Sequence, residues 1–213
     1  MISSADKIIK LIKKTYPSAS CELNFSNNFE LLVAVVLSAQ CTDKRVNMVA
    51  PQLFKVANNP FLMSKLSVEK IEEIIKPCGF YHSKAKNIKN LSLALVNNYN
   101  GIVPQQKEQL IKLPGVGEKT ASVVVAEAFK TPAIAVDTHV HRVSNRLGLV
   151  NEKSPLNTQK ELEKILPKNF WIDAHHSLVL HGRYVCKSRN PNCINCVFNG
   201  VCKYYLSRCE KCI

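Results

Sequence analysis

A lysine lies one residue inside the start of an apolar helix that is predicted for the segment LPGVGEKTASVVVAEAF, residues 113–129. The positive end of the helix dipole and the apolar residues that follow favour the neutral form of the Lys119 amine, whereas the carboxylate of Glu118 favours the charged form. A neutral amine is a usable nucleophile. Lys119 is therefore a candidate catalytic residue, and the alternative is a lysine that reaches solvent or a phosphate group.

A glycine turn separates this helix from the one before it. Pro114 ends the first helix, while Gly115 and Gly117 allow positive φ angles and the close approach of another backbone. The first amides of the second helix have no acceptor within the helix, and together with the helix dipole they form a natural seat for a phosphate group. The turn predicts either a phosphate-binding hairpin or a tight hairpin that only packs two helices.

A carboxylate marks the start of the next predicted helix, in the segment IAVDTHVHRVSNRLGL, residues 134–149. Asp137 is well placed to cap the helix that begins at Thr138. A carboxylate near an amine nucleophile also accepts a proton or stabilises a developing cation. His139 and Arg142 follow on the same helix, and we interpret them as structural or phosphate-contacting donors rather than as catalytic groups.

Four cysteines lie close together in CKSRNPNCINCVFNGVC, residues 186–202. Thiolates in this C-x6-C-x2-C-x5-C spacing are able to surround one metal centre. A zinc ion and a [4Fe–4S] cluster both take four cysteines, but the spacing is not the paired C-x2-C of a zinc ribbon. A further pair, Cys209 and Cys212, has no second pair with which to complete a site. The predicted metal ligands are Cys186, Cys193, Cys196 and Cys202.

The chain is strongly basic, with 29 lysines and arginines against 16 acidic residues and a formal net charge of +13. Such an excess indicates a polyanionic partner, above all a nucleic acid. Lys187 and Arg189 lie within the cysteine loop, which therefore predicts an arm that offers cations to a phosphate backbone. No apolar run of about 18 residues is present and the N-terminus lacks the apolar core of a signal peptide, so we expect a cytoplasmic protein without a membrane span.

The elements that must position these residues are helices. Alternating β-branched runs are scarce, only seven glycines are present, and apolar residues recur at helical spacing along the chain. Prolines fall between the periodic segments, where helices are expected to end. We predict a compact all-α protein of about ten helices, which cover residues 4–14, 29–39, 43–57, 67–76, 83–98, 105–112, 118–129, 138–147, 156–166 and 172–184.

Several of these segments together resemble one known family. LPGVGEKTA, VDTHVHRV, LSAQCTD and HGRYVC, followed by the cysteine loop, closely resemble the bacterial endonuclease III family. Its members are helix-hairpin-helix DNA glycosylases and abasic-site lyases of base excision repair. The resemblance runs over almost the whole chain in the order and spacing of the family, and this combination is far more specific than any single motif.

The resemblance implies an all-α, two-domain helix-hairpin-helix DNA glycosylase fold with DNA in the cleft between the domains. Residues 22–132 would form a six-helix domain that contains the helix-hairpin-helix motif at about 105–129. Residues 1–21 and 133–213 would form a discontinuous helical domain with the cluster loop at 186–202. In the family the four cysteines hold one [4Fe–4S] cluster, which takes no part in the hydrolytic or lyase chemistry.

The resemblance also implies an activity. The expected enzyme is a bifunctional DNA glycosylase and abasic-site lyase that removes oxidised pyrimidines from duplex DNA and cuts 3′ to the abasic site by β-elimination. Lys119 matches the catalytic lysine, which forms a Schiff base, and Asp137 matches the catalytic aspartate. The implied partner is double-stranded DNA with damaged pyrimidines or abasic sites, bound by a monomer associated with the bacterial nucleoid.

Two loops would enter the DNA where the damaged base is flipped out. By resemblance Gln40 fills the hole in the base stack, and Phe80 stands at the wedge position that is often leucine in relatives. Lys84 would lie near a phosphate. The full set of expected DNA contacts is Gln40, Phe80, Tyr81, Lys84, Leu113, Gly115, Val116, Gly117, His139, Arg142, Lys187 and Arg189.

Three alternatives remain open at this point. An adenine-specific mismatch glycosylase of the same superfamily lacks a lysine at this place and usually carries a further C-terminal domain, so Lys119 and the length of the chain argue against it. A non-catalytic iron–sulfur or zinc DNA-binding module would need neither Lys119 nor Asp137. A small electron-transfer protein would leave the glycine hairpin without a purpose.

Overall fold

The computed structural model describes residues 4–209, and within that range every regular element is a helix, which confirms the predicted all-α class. A 3₁₀ turn, Lys168–Phe170, precedes the longest helix of the C-terminal part. The helices are α1 (Ser4–Thr15), α2 (Asn28–Ser38), α3 (Asp43–Val56), α4 (Pro60–Met63), α5 (Val68–Ile75), α6 (Tyr81–Tyr99), α7 (Lys107–Leu110), α8 (Glu118–Phe129), α9 (Thr138–Leu147), α10 (Pro155–Ile165), α11 (Trp171–Tyr184) and α12 (Lys203–Cys209).

The predicted helices agree with the observed ones to within about two residues at each end, but three helical segments were not predicted: α4, the 3₁₀ turn and α12. Pro60 was expected to break a helix, yet it occupies the first position of α4, where the missing proline N–H has no intrahelical acceptor to lose. Asn59 caps that turn, because its side chain accepts a hydrogen bond from the Leu62 amide at 3.0 Å.

Contacts divide the chain into two units, Met1–Cys21 with Pro132–Ile213 and Glu22–Thr131. The second unit is described throughout and contains the helices from α2 to α8. The first unit contains α1 and the helices from α9 to α12, so its chain is discontinuous.

In the Glu22–Thr131 unit, α2 is buried from Phe29 to Leu37 and packs against α3, α6 and α8. Asn27 starts this helix, because its side chain accepts a hydrogen bond from the Glu30 amide at 2.9 Å. A helix that is apolar on all sides is stable only when other elements surround it, which explains why α2 forms the centre of this unit.

In the other unit, α11 packs against α1 and α9, and α9 also contacts α10 and α12. Ile8 and Ile12 of α1 are buried in the same core as Leu178 and Phe198. This apolar stripe on α1 follows the helical spacing expected from the sequence. The N-terminal helix therefore depends on residues near the opposite end of the sequence for its burial.

None of the helices that lie between residues 4 and 209 has both the length and the apolar character needed to cross a lipid bilayer.

Candidate functional site

The start of α8 presents the predicted lysine to solvent. Gly117 is the N-cap and provides no side-chain acceptor, so the first amides of α8 lack a capping side chain. Lys119 lies in the first turn of the helix and is exposed. The neighbouring Glu118 forms an ion pair with Lys107 across 2.6 Å. An exposed amine and several backbone N–H donors are therefore available at one helix end.

The turn before α8 depends on glycine at one position and leaves open space at another. Gly115 has a φ of +79°, and a Cβ atom at this position would lie 2.8 Å from the Cβ of Asn87. No atom lies within 4 Å of a Cβ built on Gly117. The turn can therefore pack against α6 and still leave the helix amides accessible.

The side chains of Leu113 and Val116 face the core, so a DNA contact at these positions stays a prediction for the backbone alone. Their side chains are buried, with exposed fractions of 3% and 5%, and contribute to the apolar core. The amide of Val116 also donates to the carbonyl of Leu113 at 3.1 Å. At these two positions, only backbone groups are available to bind a phosphate.

Asp137 caps α9, as its position in the sequence predicted. Its Oδ1 accepts a hydrogen bond from the Val140 amide at 2.7 Å, which fixes the direction of the carboxylate. Asp137 belongs to the unit formed with residues 132–213, whereas Lys119 belongs to Glu22–Thr131.

The guanidinium of Arg142 forms several hydrogen bonds within its own unit. Its Nε donates to the carbonyl of Cys186 at 3.1 Å, and Nη2 donates to the carbonyl of Gly182 at 2.9 Å. Nη2 also lies 3.2 Å from Nδ1 of His139. These bonds tie α9 to the end of α11 and so support the cysteine loop, while contacts of Arg142 and His139 with DNA stay predictions.

The four predicted metal ligands line one pocket, which is partly open to solvent. Within residues 4–209, no three cysteine, histidine or carboxylate side chains are grouped closely enough to hold a single metal ion. Burial, followed by repulsion from the other thiolates, raises the pKa of Cys196 and Cys202. Four ionised thiols here would therefore need a cationic centre between them.

Tyr16 and His181 form a hydrogen-bonded chain that ends at this pocket, and the sequence did not predict it. His181 is only 2% exposed, and its Nε2 lies 3.6 Å from Sγ of Cys196. The hydroxyl of Tyr16 lies 2.7 Å from Nδ1 of the same ring. Burial lowers the pKa of His181 to about 4, so the ring is neutral at physiological pH. A neutral ring that donates from Nε2 to the sulfur accepts the tyrosine proton at Nδ1.

Arg146 holds the first part of the cysteine loop. Its Nη1 donates to the carbonyl of Lys187 at 2.7 Å, and Nη2 donates to the carbonyl of Ser188 at 3.1 Å. Because these bonds use the backbone, the side chains of Lys187 and Arg189 remain exposed. The exposure of these two cations is consistent with the predicted arm that offers positive charge to a phosphate backbone.

The two loops expected to enter DNA are adjacent within their unit. Gln40 and Phe80 both have left-handed backbone conformations, with φ angles of 52° and 57°. A Cβ built on Gly79 would lie 3.5 Å from the carbonyl oxygen of Gln40, so the loops are in contact. Phe80 is 67% exposed, whereas Tyr81 is half-buried and stacks on His82. An exposed aromatic side chain on a strained backbone is typical of a functional position.

Lys84 requires a correction, because it is 5% exposed and does not reach the surface. Its Nζ donates to the carbonyl of Leu37 at 2.8 Å. Burial lowers its pKa, an effect opposed by the nearby thiols of Cys41 and Cys78. Lys84 therefore connects α6 to the end of α2 and is not available to a phosphate.

Cys212 lies outside the described residues, and so does the side chain of Cys209.

Similarity to known proteins extends over most of the chain. Residues 33–168 match the HhH-GPD superfamily of base excision DNA repair proteins. The chain is 48% identical over 197 residues to an endonuclease III of Bacillus subtilis, a match that covers 92% of this chain and 90% of the relative.

Two similar solved structures are endonuclease III molecules with DNA. One, described as a non-covalent complex, has a TM-score of 0.91 and 45% identity, and the match covers 99% of this chain and 100% of that one. The other, described as a trapped covalent intermediate, has the same TM-score and identity and covers 98% and 100% of the two chains.

Proposed function

The chain belongs to the endonuclease III family, the bifunctional DNA glycosylases and abasic-site lyases within the HhH-GPD superfamily of base excision repair proteins, and we propose that Lys119 and Asp137 carry out this chemistry. The predicted family, fold class and enzymatic activity are thereby confirmed. The substrate that we propose is double-stranded DNA with an oxidised pyrimidine or an abasic site.

One observation carries the assignment of the nucleophile: an exposed lysine in the first turn of α8, directly after a glycine turn with uncapped amides. The amides hold a backbone phosphate, and the lysine side chain extends toward the flipped nucleotide. Flipping costs a few kcal/mol, least for a poorly paired base. The relative trapped as a covalent intermediate on DNA supports a nucleophile of this kind.

The proposed reaction begins when the Nζ lone pair of Lys119 attacks C1′ of the damaged nucleotide. The C1′–N glycosidic bond breaks, and the base leaves with the bonding electrons and takes up a proton. The lysine nitrogen loses a proton and expels O4′, which is protonated, so that a Schiff base forms at C1′. Loss of a C2′ proton then breaks the C3′–O bond and cuts the strand 3′ to the lesion. Water hydrolyses the Schiff base and releases Lys119.

Asp137 assists where positive charge develops. The Val140 amide holds its Oδ1, so the carboxylate has a fixed orientation before substrate binds. We assign to it the acceptance of a proton during attack and the stabilisation of the cationic sugar. A preoriented carboxylate contributes because no reorganisation is needed in the transition state.

DNA is held by groups of different kinds. The amides after Gly117 donate hydrogen bonds to a phosphate, and Lys187 and Arg189 add exposed positive charge from the cysteine loop. Gln40 and Phe80 fill the space that the flipped nucleotide leaves. The net charge of +13 is consistent with this partner.

The cysteine pocket fits a [4Fe–4S] cluster held by Cys186, Cys193, Cys196 and Cys202. The four sulfur ligands line one pocket, and their C-x6-C-x2-C-x5-C order in the sequence is not the paired C-x2-C of a zinc ribbon. The cluster would cross-link the loop that presents Lys187 and Arg189. We expect the purified protein to contain about four iron atoms per chain and to absorb visible light, which a d¹⁰ zinc ion does not. A colourless protein with one zinc ion would contradict this assignment.

Borohydride trapping tests the lysine chemistry. The full chain is incubated with duplex DNA that contains thymine glycol or an abasic site, and borohydride is added to reduce the Schiff base. We expect a covalent adduct with the unmodified protein and with Lys112→Gln, an exposed lysine of the same hairpin, but not with Lys119→Gln. Adenine release without an adduct would indicate a mismatch glycosylase instead, and binding without product would indicate a non-catalytic module.

A further inference from the structure

The sulfur of Cys196 faces a buried ring nitrogen. Nε2 of His181 lies 3.6 Å from Sγ of Cys196, within the range of an N–H···S hydrogen bond because sulfur is larger than oxygen. His181 lies near the end of α11, and its backbone carbonyl accepts a hydrogen bond from the amide of Cys186 at 2.7 Å. One residue therefore contacts two of the four predicted ligands, the first through its ring and the second through its backbone.

Two aromatic residues pack edge-to-face against the ring of His181. The ring centroid lies 4.8 Å from that of Phe198, at an interplanar angle of 89°, and 5.9 Å from that of Tyr16, at 76°. Phe198 belongs to the cysteine loop and is 1% exposed. Because this packing fixes the position of the imidazole, removal of the Tyr16 hydroxyl alone leaves the ring contacts in place.

The hydroxyl of Tyr16 determines which nitrogen of this ring carries the proton. A neutral imidazole has one N–H donor and one acceptor nitrogen. The hydroxyl lies 2.7 Å from Nδ1, and a hydroxyl that donates there keeps Nδ1 unprotonated and leaves the proton on Nε2. A thiolate that binds iron has no proton of its own, so only the Nε2–H form of His181 gives a hydrogen bond to Cys196. The other form would set two lone pairs against each other.

We propose that Tyr16 is a positioning residue that, through His181, sets the reduction potential of the proposed [4Fe–4S] cluster. An N–H donor on a ligand sulfur stabilises the additional negative charge of the reduced state, and hydrogen bonds to the sulfurs are among the factors that set such potentials. Loss of this donor lowers the potential, so the cluster is oxidised more easily. The inference rests on the cluster proposed above and is independent of the lysine chemistry.

A redox titration of the purified holoprotein tests the role of Tyr16, with the visible absorbance of the cluster as the signal. At the midpoint potential of the unmodified protein, we expect Tyr16→Phe to lower the ratio of reduced to oxidised cluster about tenfold, the scale of one hydrogen bond to a charged acceptor. For a one-electron couple this change is a midpoint shift of about 59 mV. Tyr99→Phe in the other unit is the control and should leave the midpoint unchanged. An unshifted midpoint in Tyr16→Phe would overturn the proposal.

A second substitution separates control of the ring proton from a purely structural effect of Tyr16. In His181→Gln the side-chain amide offers an N–H donor to Cys196 and has no tautomers. We expect the midpoint of His181→Gln to stay close to that of the unmodified protein, with no further shift when Tyr16→Phe is added. His181→Phe keeps an aromatic ring without a donor and should lower the midpoint at least as far as Tyr16→Phe. Equal shifts caused by Tyr16→Phe with and without His181→Gln would refute control through the tautomer.

Iron content distinguishes failure of the cofactor assignment from failure of this inference. A purified protein that holds zinc in place of iron refutes the cluster and this inference together. A protein with about four iron atoms per chain, whose midpoint does not move in Tyr16→Phe, refutes the role of Tyr16 alone. The titration uses no DNA, so its result is also separate from that of borohydride trapping at Lys119.

Discussion

The hydroxyl of Tyr16 lies 2.7 Å from Nδ1 of His181, and the opposite nitrogen of that ring faces Sγ of Cys196 at 3.6 Å. The residue that follows α1 is thus joined through one imidazole to a predicted metal ligand. Burial, followed by the negative charge of the nearby cysteines, raises the pKa of Tyr16 to about 12, so the hydroxyl keeps the proton that it donates.

Tyr16→Phe is expected to destabilise the unit that contains the cysteine loop. The change leaves Nδ1 of a buried histidine without its partner, which costs about 1–3 kcal/mol of the free energy of unfolding. Denaturant unfolding gives this value, and loss of visible absorbance on incubation with a chelator reports whether the metal centre becomes more labile. Tyr99→Phe in the other unit serves as the control. Equal stabilities of the two variants would show that the hydrogen bond contributes nothing.

Asp137→Asn separates the two roles of the residue. Asparagine caps helices about as well as aspartate, so α9 and the overall stability should change by less than about 1 kcal/mol. The carboxylate charge is lost, and single-turnover base release should slow by about 10²–10⁴-fold. Ser154→Asn, a cap exchange at the start of α10, controls for capping alone. Unchanged base release in stable Asp137→Asn would remove Asp137 from the mechanism.

Gly115 and Gly117 are expected to respond differently to alanine. Gly115→Ala places a side chain on a backbone with φ of +79° and against Asn87, and should destabilise the protein by about 1–3 kcal/mol. Gly117→Ala meets no neighbour, so its stability should fall by less than about 1 kcal/mol while its methyl group obstructs a phosphate at the helix amides. Gly200→Ala, another position with open space, is the matched control. Normal DNA affinity of Gly117→Ala would argue against the phosphate seat.

Cys78 gives the folded protein a dependence on alkaline pH. Burial, together with Cys41, raises its pKa from 9.0 to about 11. The folded state therefore keeps a proton that the unfolded chain loses first, so this contribution to stability is complete below pH 9 and is lost as the pH rises through about 11. The stability difference between the unmodified protein and Cys78→Ala should shrink by at most about 3 kcal/mol over this range. Reduced samples are unfolded with urea at each pH, and a constant difference would contradict the raised pKa.

Local signals made the start of α8 and the cap of α9 predictable. Proline and glycine mark the turn before Lys119, and Asp137 is followed at once by a helix with apolar spacing. Long-range contacts were not predictable in this way. Tyr16 and His181 are 165 residues apart in sequence, and no periodicity connects them.

Lys84 is a residue whose burial the sequence did not predict. Its charge suggested a place beside a phosphate, but the ammonium finds its acceptor at Leu37, 47 residues earlier. Burial of a long basic side chain depends on which helices pack together, and a single sequence does not show that packing.

The discontinuous unit also has a consequence for synthesis on the ribosome. Residues 4–15 emerge before residues 22–131, yet the apolar surface that covers Ile8 and Ile12 is translated only after Thr131. The intervening segment is complete by then, and we expect it to fold while the nascent N-terminal helix still lacks its partner. Because the cysteine loop emerges later still, insertion of the proposed cluster would belong to the last stage of maturation, after residues 22–131 have been synthesised.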